Sequence, residues 1–104
     1  MNRLQILQDF YDQDPKEPFN IYGLALEYQK HDIKKSKQLF DLLLKDFEEY
    51  LATYYITGKL YEELGLDEEA VEIFKKGISV AHSQNNTKAE NELKTALTNL
   101  EMEM

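Results

Sequence analysis

The side chains that could do chemistry in this 104-residue sequence are two histidines and several carboxylates. His31 and His82 are far apart, and neither has a second histidine at helical spacing, so they do not have the pattern of a zinc site. The carboxylate pairs at 48–49 and 62–63 are typical of a solvated acidic surface, because acid–base catalysis needs a cleft that separates their pKa values. The scattered glycines form no phosphate-binding loop. We therefore predict no catalytic residues, no metal ligands, no cofactor and no enzymatic activity.

Composition favours one soluble domain. The chain is 42% hydrophobic and 31% charged, which is ordinary for a globular protein. Its net charge of −8 argues against nucleic acid and against anionic membrane surfaces. There is no cysteine, which fits a reducing compartment, and no run of apolar residues long enough for a leader or a membrane span. We expect a cytoplasmic protein that contacts no membrane.

The chain is organised around a helix-turn-helix unit in residues 51–81. One apolar stripe recurs at helical spacing before the turn, and it consists of Tyr54, Gly58, Tyr61 and Leu64. Gly65 ends this helix, and a second stripe follows at Ala70, Phe74, Gly77, Ile78 and Ala81. A glycine inside a helix costs about 1 kcal/mol relative to alanine. Gly58 and Gly77 are therefore expected where the two helices approach closely.

The same pattern occurs once more upstream, and its second half occurs once again before that. One repeat length earlier, Ile21, Ala25 and Tyr28 have the spacing of Tyr54, Gly58 and Tyr61. Ser36, Phe40 and Leu43 likewise have the spacing of Ala70, Phe74 and Gly77, and the small difference between the two offsets falls inside a turn. A further repeat length back lie Leu7 and Phe10, in a first helix whose stripe is Leu4, Leu7, Phe10 and Tyr11. The N-terminal helix is therefore predicted to be a half repeat.

Residue types at the predicted helix ends support these boundaries. Asn2, Asp32 and Asp67 are placed to cap helices, and Pro18 suits the first turn of one. The segment 87–90 has the spacing of a capping box, and it opens a last helix that is apolar on one side only. A helix with one polar side is suited to closing a stack of repeats.

These residues resemble the tetratricopeptide repeat family, and in particular its short bacterial members. The resemblance rests on Gly58, Tyr61, Gly65, Ala70 and Phe74, on Leu24, Ala25, Tyr28, Ser36 and Phe40, and on Asp14 with Pro15. It implies an all-α solenoid of about six helices built from helical hairpins. We expect a half repeat at 1–17, full repeats at 18–50 and 51–84, and a capping helix with a frayed tail at 85–104.

The resemblance also implies a concave groove formed by the first helices of successive repeats. The residues on that face would be Phe19, Tyr22, Leu26, Gln29, Tyr55, Lys59 and Glu62. Helical spacing supports this independently, because these residues are displaced from the core stripes of their helices. Exposed aromatic residues in a concavity are typical anchors for peptides. The alternative is that Tyr22 and Leu26 pack on neighbouring helices. The resemblance also implies that some members bind a C-terminal carboxylate through paired lysine and asparagine side chains on this face. Only Lys59 could provide part of such a site here, so we do not expect carboxylate binding.

We therefore predict a scaffold or adaptor that binds a protein or peptide partner in this groove. The alternative function is a structural module that self-associates, with a second copy filling the groove, so a homo-oligomer is possible. A basic run at 30–37 and an acidic run at 62–69 are typical of solvated surfaces. If these runs instead pair between chains or with an acidic partner, association would be sensitive to salt.

Overall fold

The computed structural model describes residues 2–104, which form six helices and no strand. The helices are α1 (Arg3–Gln13), α2 (Pro18–Tyr28), α3 (Ile33–Asp46), α4 (Ala52–Glu63), α5 (Asp67–Ser83) and α6 (Thr87–Glu103). The predicted six-helix, all-α architecture is therefore confirmed.

The helix ends agree with the sequence at three places and differ at two. The side chain of Asn2 accepts a hydrogen bond from the backbone of Gln5, Asp32 caps α3, and Pro18 is the first residue of α2. Asp67, by contrast, is already the first residue of α5 and makes no cap, although its charge suits the positive end of the helix dipole. The predicted capping box is also wrong, because Asn86 caps α6 instead, through a 3.0 Å hydrogen bond from the backbone N–H of Ala89.

The first compact unit runs to Tyr50 and contains α1, α2 and α3. In this unit α2 packs on both α1 and α3. Its most deeply buried apolar side chains are Ile21, Leu24, Ala25, Phe40 and Leu43. The buried hydroxyl of Ser36 donates a 2.7 Å hydrogen bond to the backbone oxygen of Ala25, so it tethers α3 to α2. The sequence placed Phe10 on the packed stripe of α1, but its side chain is 51% exposed.

The second compact unit begins at Leu51 and contains α4, α5 and α6. Its buried apolar side chains are Tyr54, Leu60, Ala70, Val71, Phe74, Val80, Ala81, Leu93, Ala96 and Leu100. A Cβ atom on Gly77 would lie 2.6 Å from the Cβ of Tyr54, and one on Gly58 would overlap the ring of Phe74. The predicted close approach of α4 and α5 at these two glycines is confirmed. Gly65 follows α4 with φ +76°, a left-handed conformation that favours glycine.

Candidate functional site

An open groove runs between α4 and α6 within the second unit. It has a volume of about 570 Å³. Its lining residues are Tyr55 and Lys59 from α4, and Asn91, Glu92, Thr95, Ala96 and Asn99 from α6. Two of the residues that the sequence predicted for the binding face, Tyr55 and Lys59, therefore border one concavity.

The α4 side of the groove combines an aromatic ring with a paired cation. Tyr55 is 46% exposed, and the centre of its ring lies 6.5 Å from that of buried Phe74. The Phe74 ring supports the Tyr55 ring from the core side, so less side-chain freedom is lost when a ligand packs on the exposed face. Nζ of Lys59 lies 3.5 Å from a carboxylate oxygen of Glu62. Glu62 is therefore linked to the groove through Lys59, and it is not itself among the lining residues.

The α6 side of the groove presents a polar stripe whose residues were not among those predicted for the binding face. Asn91, Thr95 and Asn99 are spaced four residues apart, so they lie along one face of the helix. All three are exposed, and all three line the groove. An asparagine amide both donates and accepts hydrogen bonds, as a peptide unit does. The four-residue spacing could have identified the stripe, but no sequence pattern shows that α4 lies opposite it.

The predicted residues of α2 have different environments within the first unit. Phe19 is 66% exposed, whereas Tyr22, Leu26 and Gln29 are half-buried. The Tyr22 ring packs edge-on against Phe40, with centroids 6.1 Å apart, and against Tyr50, with centroids 5.8 Å apart. Burial raises the pKa of the Tyr22 phenol. Tyr22 thus packs on its neighbours, as the alternative interpretation expected, and Phe19 is the more accessible aromatic residue.

A shallower hollow of about 390 Å³ lies in the first unit near the start of α2. It is lined by Pro18, Asp46, Phe47, Glu48, Glu49 and Tyr50. Three of these six residues carry carboxylates.

Both histidines lie beside a carboxylate within a cluster of charged side chains. Nε2 of His31 lies 3.1 Å from Glu27, whose other carboxylate oxygen lies 2.9 Å from Nε of Arg3 and 3.8 Å from Lys30. The His31 hydrogen bond and the charges of Lys30 and Arg3 lower the pKa of Glu27, although desolvation opposes them.

The second cluster, around Glu90, also joins a carboxylate to a histidine and a lysine. Glu90 lies 2.8 Å from Nζ of Lys94 and 3.3 Å from Nδ1 of His82. The hydrogen bond from Lys94, more than that from His82, lowers the pKa of Glu90. Each histidine is therefore bound to a carboxylate that already has a lysine partner.

Two kinds of feature are missing from residues 2–104. No three histidine, aspartate or glutamate side chains come together in a group that could hold a metal ion. None of the helices in this range is both long enough and apolar enough to cross a lipid bilayer.

The chain is similar to two solved structures of tetratricopeptide repeat domain proteins from Salinibacter ruber. The solution NMR structure is 38% identical, with a TM-score of 0.80, over 85% of this chain and 90% of that one. The crystal structure is 37% identical, with a TM-score of 0.77, over 82% of this chain and 97% of that one. No protein-family model matches the sequence, and no curated protein matches it. The identity and coverage of the solved structures show that the chain belongs to the tetratricopeptide repeat family, so the resemblance is confirmed.

Proposed function

We propose that this protein is a non-enzymatic adaptor that binds an extended peptide segment of a partner protein in the groove between α4 and α6. The observation that carries the proposal is the pairing of a supported, exposed Tyr55 ring with a polar stripe on the facing helix. Tetratricopeptide repeats are a protein-interaction fold, which supports the general class of function. The predicted contribution of Phe19, Tyr22, Leu26 and Gln29 on α2 remains a prediction.

The chemistry of the groove favours an extended peptide. Amides and a hydroxyl at Asn91, Thr95 and Asn99 can satisfy the backbone N–H and C=O groups that an extended segment leaves unpaired. Among the lining residues, by contrast, only Tyr55 and Ala96 are of an apolar type, and Ala96 is largely buried. A helical ligand has already paired its own backbone groups and would need a broader apolar surface.

Charge restricts the partner further. The cation of Lys59 is paired with Glu62, and Glu92 adds a carboxylate to the groove. The whole chain carries a net charge of −8, so acidic partners are repelled at long range. We therefore expect a neutral or basic segment. The same repulsion disfavours a second copy of this chain, although self-association remains the alternative.

The test compares two variants of α6 that add the same side chain at neighbouring positions. Thr95→Arg places a bulky cation in the groove, whereas Thr98→Arg adds it to an exposed position that does not line the groove. Peptides are selected from a random library on the immobilised wild-type protein, and their affinities are measured in solution for all three proteins. Tyr55→Ala is added as a second groove variant, and circular dichroism verifies that each variant is folded.

We expect Thr95→Arg and Tyr55→Ala to weaken binding at least about tenfold and Thr98→Arg to leave it within about twofold. Equal affinities for the two arginine variants would place the peptide elsewhere and overturn the proposal. A mass that rises with protein concentration and falls in Thr95→Arg would favour the self-associating module instead. A cytoplasmic location, which the absence of cysteine favours, stays part of this proposal.

A further inference from the structure

The groove between α4 and α6 has two distinguishable ends. The turns at 64–66 and 84–86 are short, so each joins antiparallel helices, and α4 and α6 run in the same direction. The contacts of Gly77 set their register, because a Cβ there would lie 2.6 Å from the Cβ of Tyr54 and 3.1 Å from Cδ1 of Leu93. Tyr55 and Glu92 adjoin these two residues, one in each helix, and both line the groove. Tyr55 and Glu92 therefore lie at the same end.

The two charged residues that line the groove differ in their pairing. Lys59 lies one helical turn beyond Tyr55, about 6 Å along α4, and its Nζ is 3.5 Å from Glu62. Glu92 is exposed, and no cation of residues 2–104 forms an ion pair with it. Lys94, on the same helix, is bound to a different carboxylate. Glu92 thus gives the Tyr55 end of the groove an uncompensated negative charge.

The Tyr55 ring offers a surface for a planar cation. The ring is tilted 53° to that of Phe74 on its core side, and the residue is 46% exposed. The face of an aromatic ring is its negative side, so it attracts cations. A guanidinium can stack flat on that face while its edge donates two hydrogen bonds to a carboxylate. A lysine ammonium is a more strongly hydrated point charge, so it fits such a site less well.

The rest of the lining disfavours an apolar side chain at this end. Ala96 is the other lining residue of an apolar type, and only 7% of it is exposed. An aliphatic group on Tyr55 would therefore gain little apolar contact, and it would take the Glu92 carboxylate partly out of water without a partner. A cationic group avoids that loss because it pairs with the carboxylate.

We propose that the partner segment presents an arginine, whose guanidinium stacks on the Tyr55 ring and pairs with the Glu92 carboxylate. This proposal rests on the proposed peptide-binding function of the groove, and it names the side chain that the groove selects. A second copy of this chain is a poor source of that side chain. Arg3 is the only arginine in the sequence, and its Nε already lies 2.9 Å from Glu27, whose side chain is only 8% exposed. Removing Arg3 would leave a largely buried carboxylate with fewer partners, so the arginine is expected on a different protein.

The probes are three capped pentapeptides of glycine and serine that differ only in a central arginine, lysine or citrulline. Citrulline keeps the planar shape of arginine without its charge, whereas lysine keeps the charge without the plane. Each peptide is titrated into the isotope-labelled full-length protein, and the backbone amide shifts in NMR spectra report where it binds and how tightly. We expect the arginine peptide to shift amides around Tyr55 and Glu92. It should bind about tenfold more tightly than the citrulline peptide and about threefold more tightly than the lysine peptide.

Two variants with the same change of net charge separate a local contact from long-range attraction. Glu92→Gln removes the carboxylate in the groove, and Glu101→Gln removes an exposed carboxylate of α6 that does not line it. We expect Glu92→Gln to reduce the preference for arginine over citrulline to about threefold or less, and Glu101→Gln to leave it within about twofold of the wild-type value. Tyr55→Leu should remove the preference for arginine over lysine. Circular dichroism verifies that each variant is folded.

Several results would overturn the proposal. They are equal affinity for the arginine and citrulline peptides, shifts centred outside the groove, no shifts in the wild type, or an unchanged arginine preference in Glu92→Gln. A dimer lost in both Glu92→Gln and Arg3→Lys would also overturn it, since a second copy would then supply the arginine. Library-selected peptides weakened by Thr95→Arg but not by Glu92→Gln would refute the arginine contact alone and leave the groove proposal standing. The groove proposal itself fails when Thr95→Arg and Thr98→Arg bind those peptides equally well.

Discussion

Gly58→Ala is expected to destabilise the protein, although alanine is the better helix former. A Cβ atom at Gly58 would lie 2.6 Å from Cζ and 2.7 Å from Cδ1 of Phe74. Carbon atoms in favourable contact are about 3.5–4.0 Å apart, so this is a severe overlap. The Phe74 ring is fully buried and cannot turn into solvent to make room. Helices α4 and α5 must therefore move apart.

The magnitude follows from two opposing contributions. Overpacking by one methyl group in a tight core costs about 3 kcal/mol at the upper end of its usual range. The change from glycine to alanine inside a helix offsets about 1 kcal/mol of that. The free energy of unfolding should therefore fall by about 2 kcal/mol, and Tm by roughly 8–16 °C for a domain of this size.

Gly23→Ala is the matched control, because it makes the same change within α2. Its Cβ would lie 3.5 Å from Cδ2 of Leu7, which is ordinary contact. Only the helix propensity then changes, and we expect the free energy of unfolding to rise by up to about 1 kcal/mol. Urea unfolding followed by circular dichroism gives the midpoint and slope for each variant. If Gly58→Ala were as stable as the wild type, α4 and α5 could not approach each other as closely as these distances require.

Three other substitutions have defined expected outcomes. Glu27→Gln should lower Tm at neutral pH. Folding lowers the pKa of Glu27, so its ionised carboxylate stabilises the native state at pH values above the ordinary carboxyl pKa of 4.5. The difference in Tm between variant and wild type should therefore shrink as the pH falls below 4.5. Melting curves on both sides of that pH check the sign, and a constant deficit would contradict it. Thr57→Val should stabilise the protein by about 1 kcal/mol, because the buried hydroxyl of Thr57 has no hydrogen-bond partner among residues 2–104 and valine has the same shape as threonine. An unchanged or lower midpoint of urea unfolding would refute this. Ser36→Ala should lower the free energy of unfolding by about 1 kcal/mol, because it removes the hydrogen bond to the backbone oxygen of Ala25. A variant as stable as the wild type in urea would show that this bond contributes nothing to stability.

The helices and their pairing into hairpins could be predicted from the sequence because their signals are local. Apolar residues at helical spacing, Gly65 at a helix end and Pro18 at a helix start all act within a few residues of themselves. The glycines also predicted a contact between helices. A glycine inside a helix, such as Gly58, needs a compensating close contact, and the ring of Phe74 provides it. The cap of α6 was placed one residue too late, because Asn86 and Thr87 are both good caps.

The candidate site was predicted only in part. Tyr55 and Lys59 do border a groove, whereas Tyr22 packs between Phe40 and Tyr50. Helical spacing gives both tyrosines the same displacement from the core stripe. It does not show that α3 and Tyr50 surround Tyr22 while the Tyr55 side of α4 stays open.

Sequence alone determined six helices, their order, their turns and the residue types that let α4 and α5 meet, because each of these depends on neighbours within a turn or on a repeating pattern. Only the tertiary structure decided that the stripe of Asn91, Thr95 and Asn99 faces Tyr55, and that Phe10 remains exposed on α1. The physical reason is that exposure and concavity depend on atoms contributed by residues far apart in the chain, whose positions no single helix specifies.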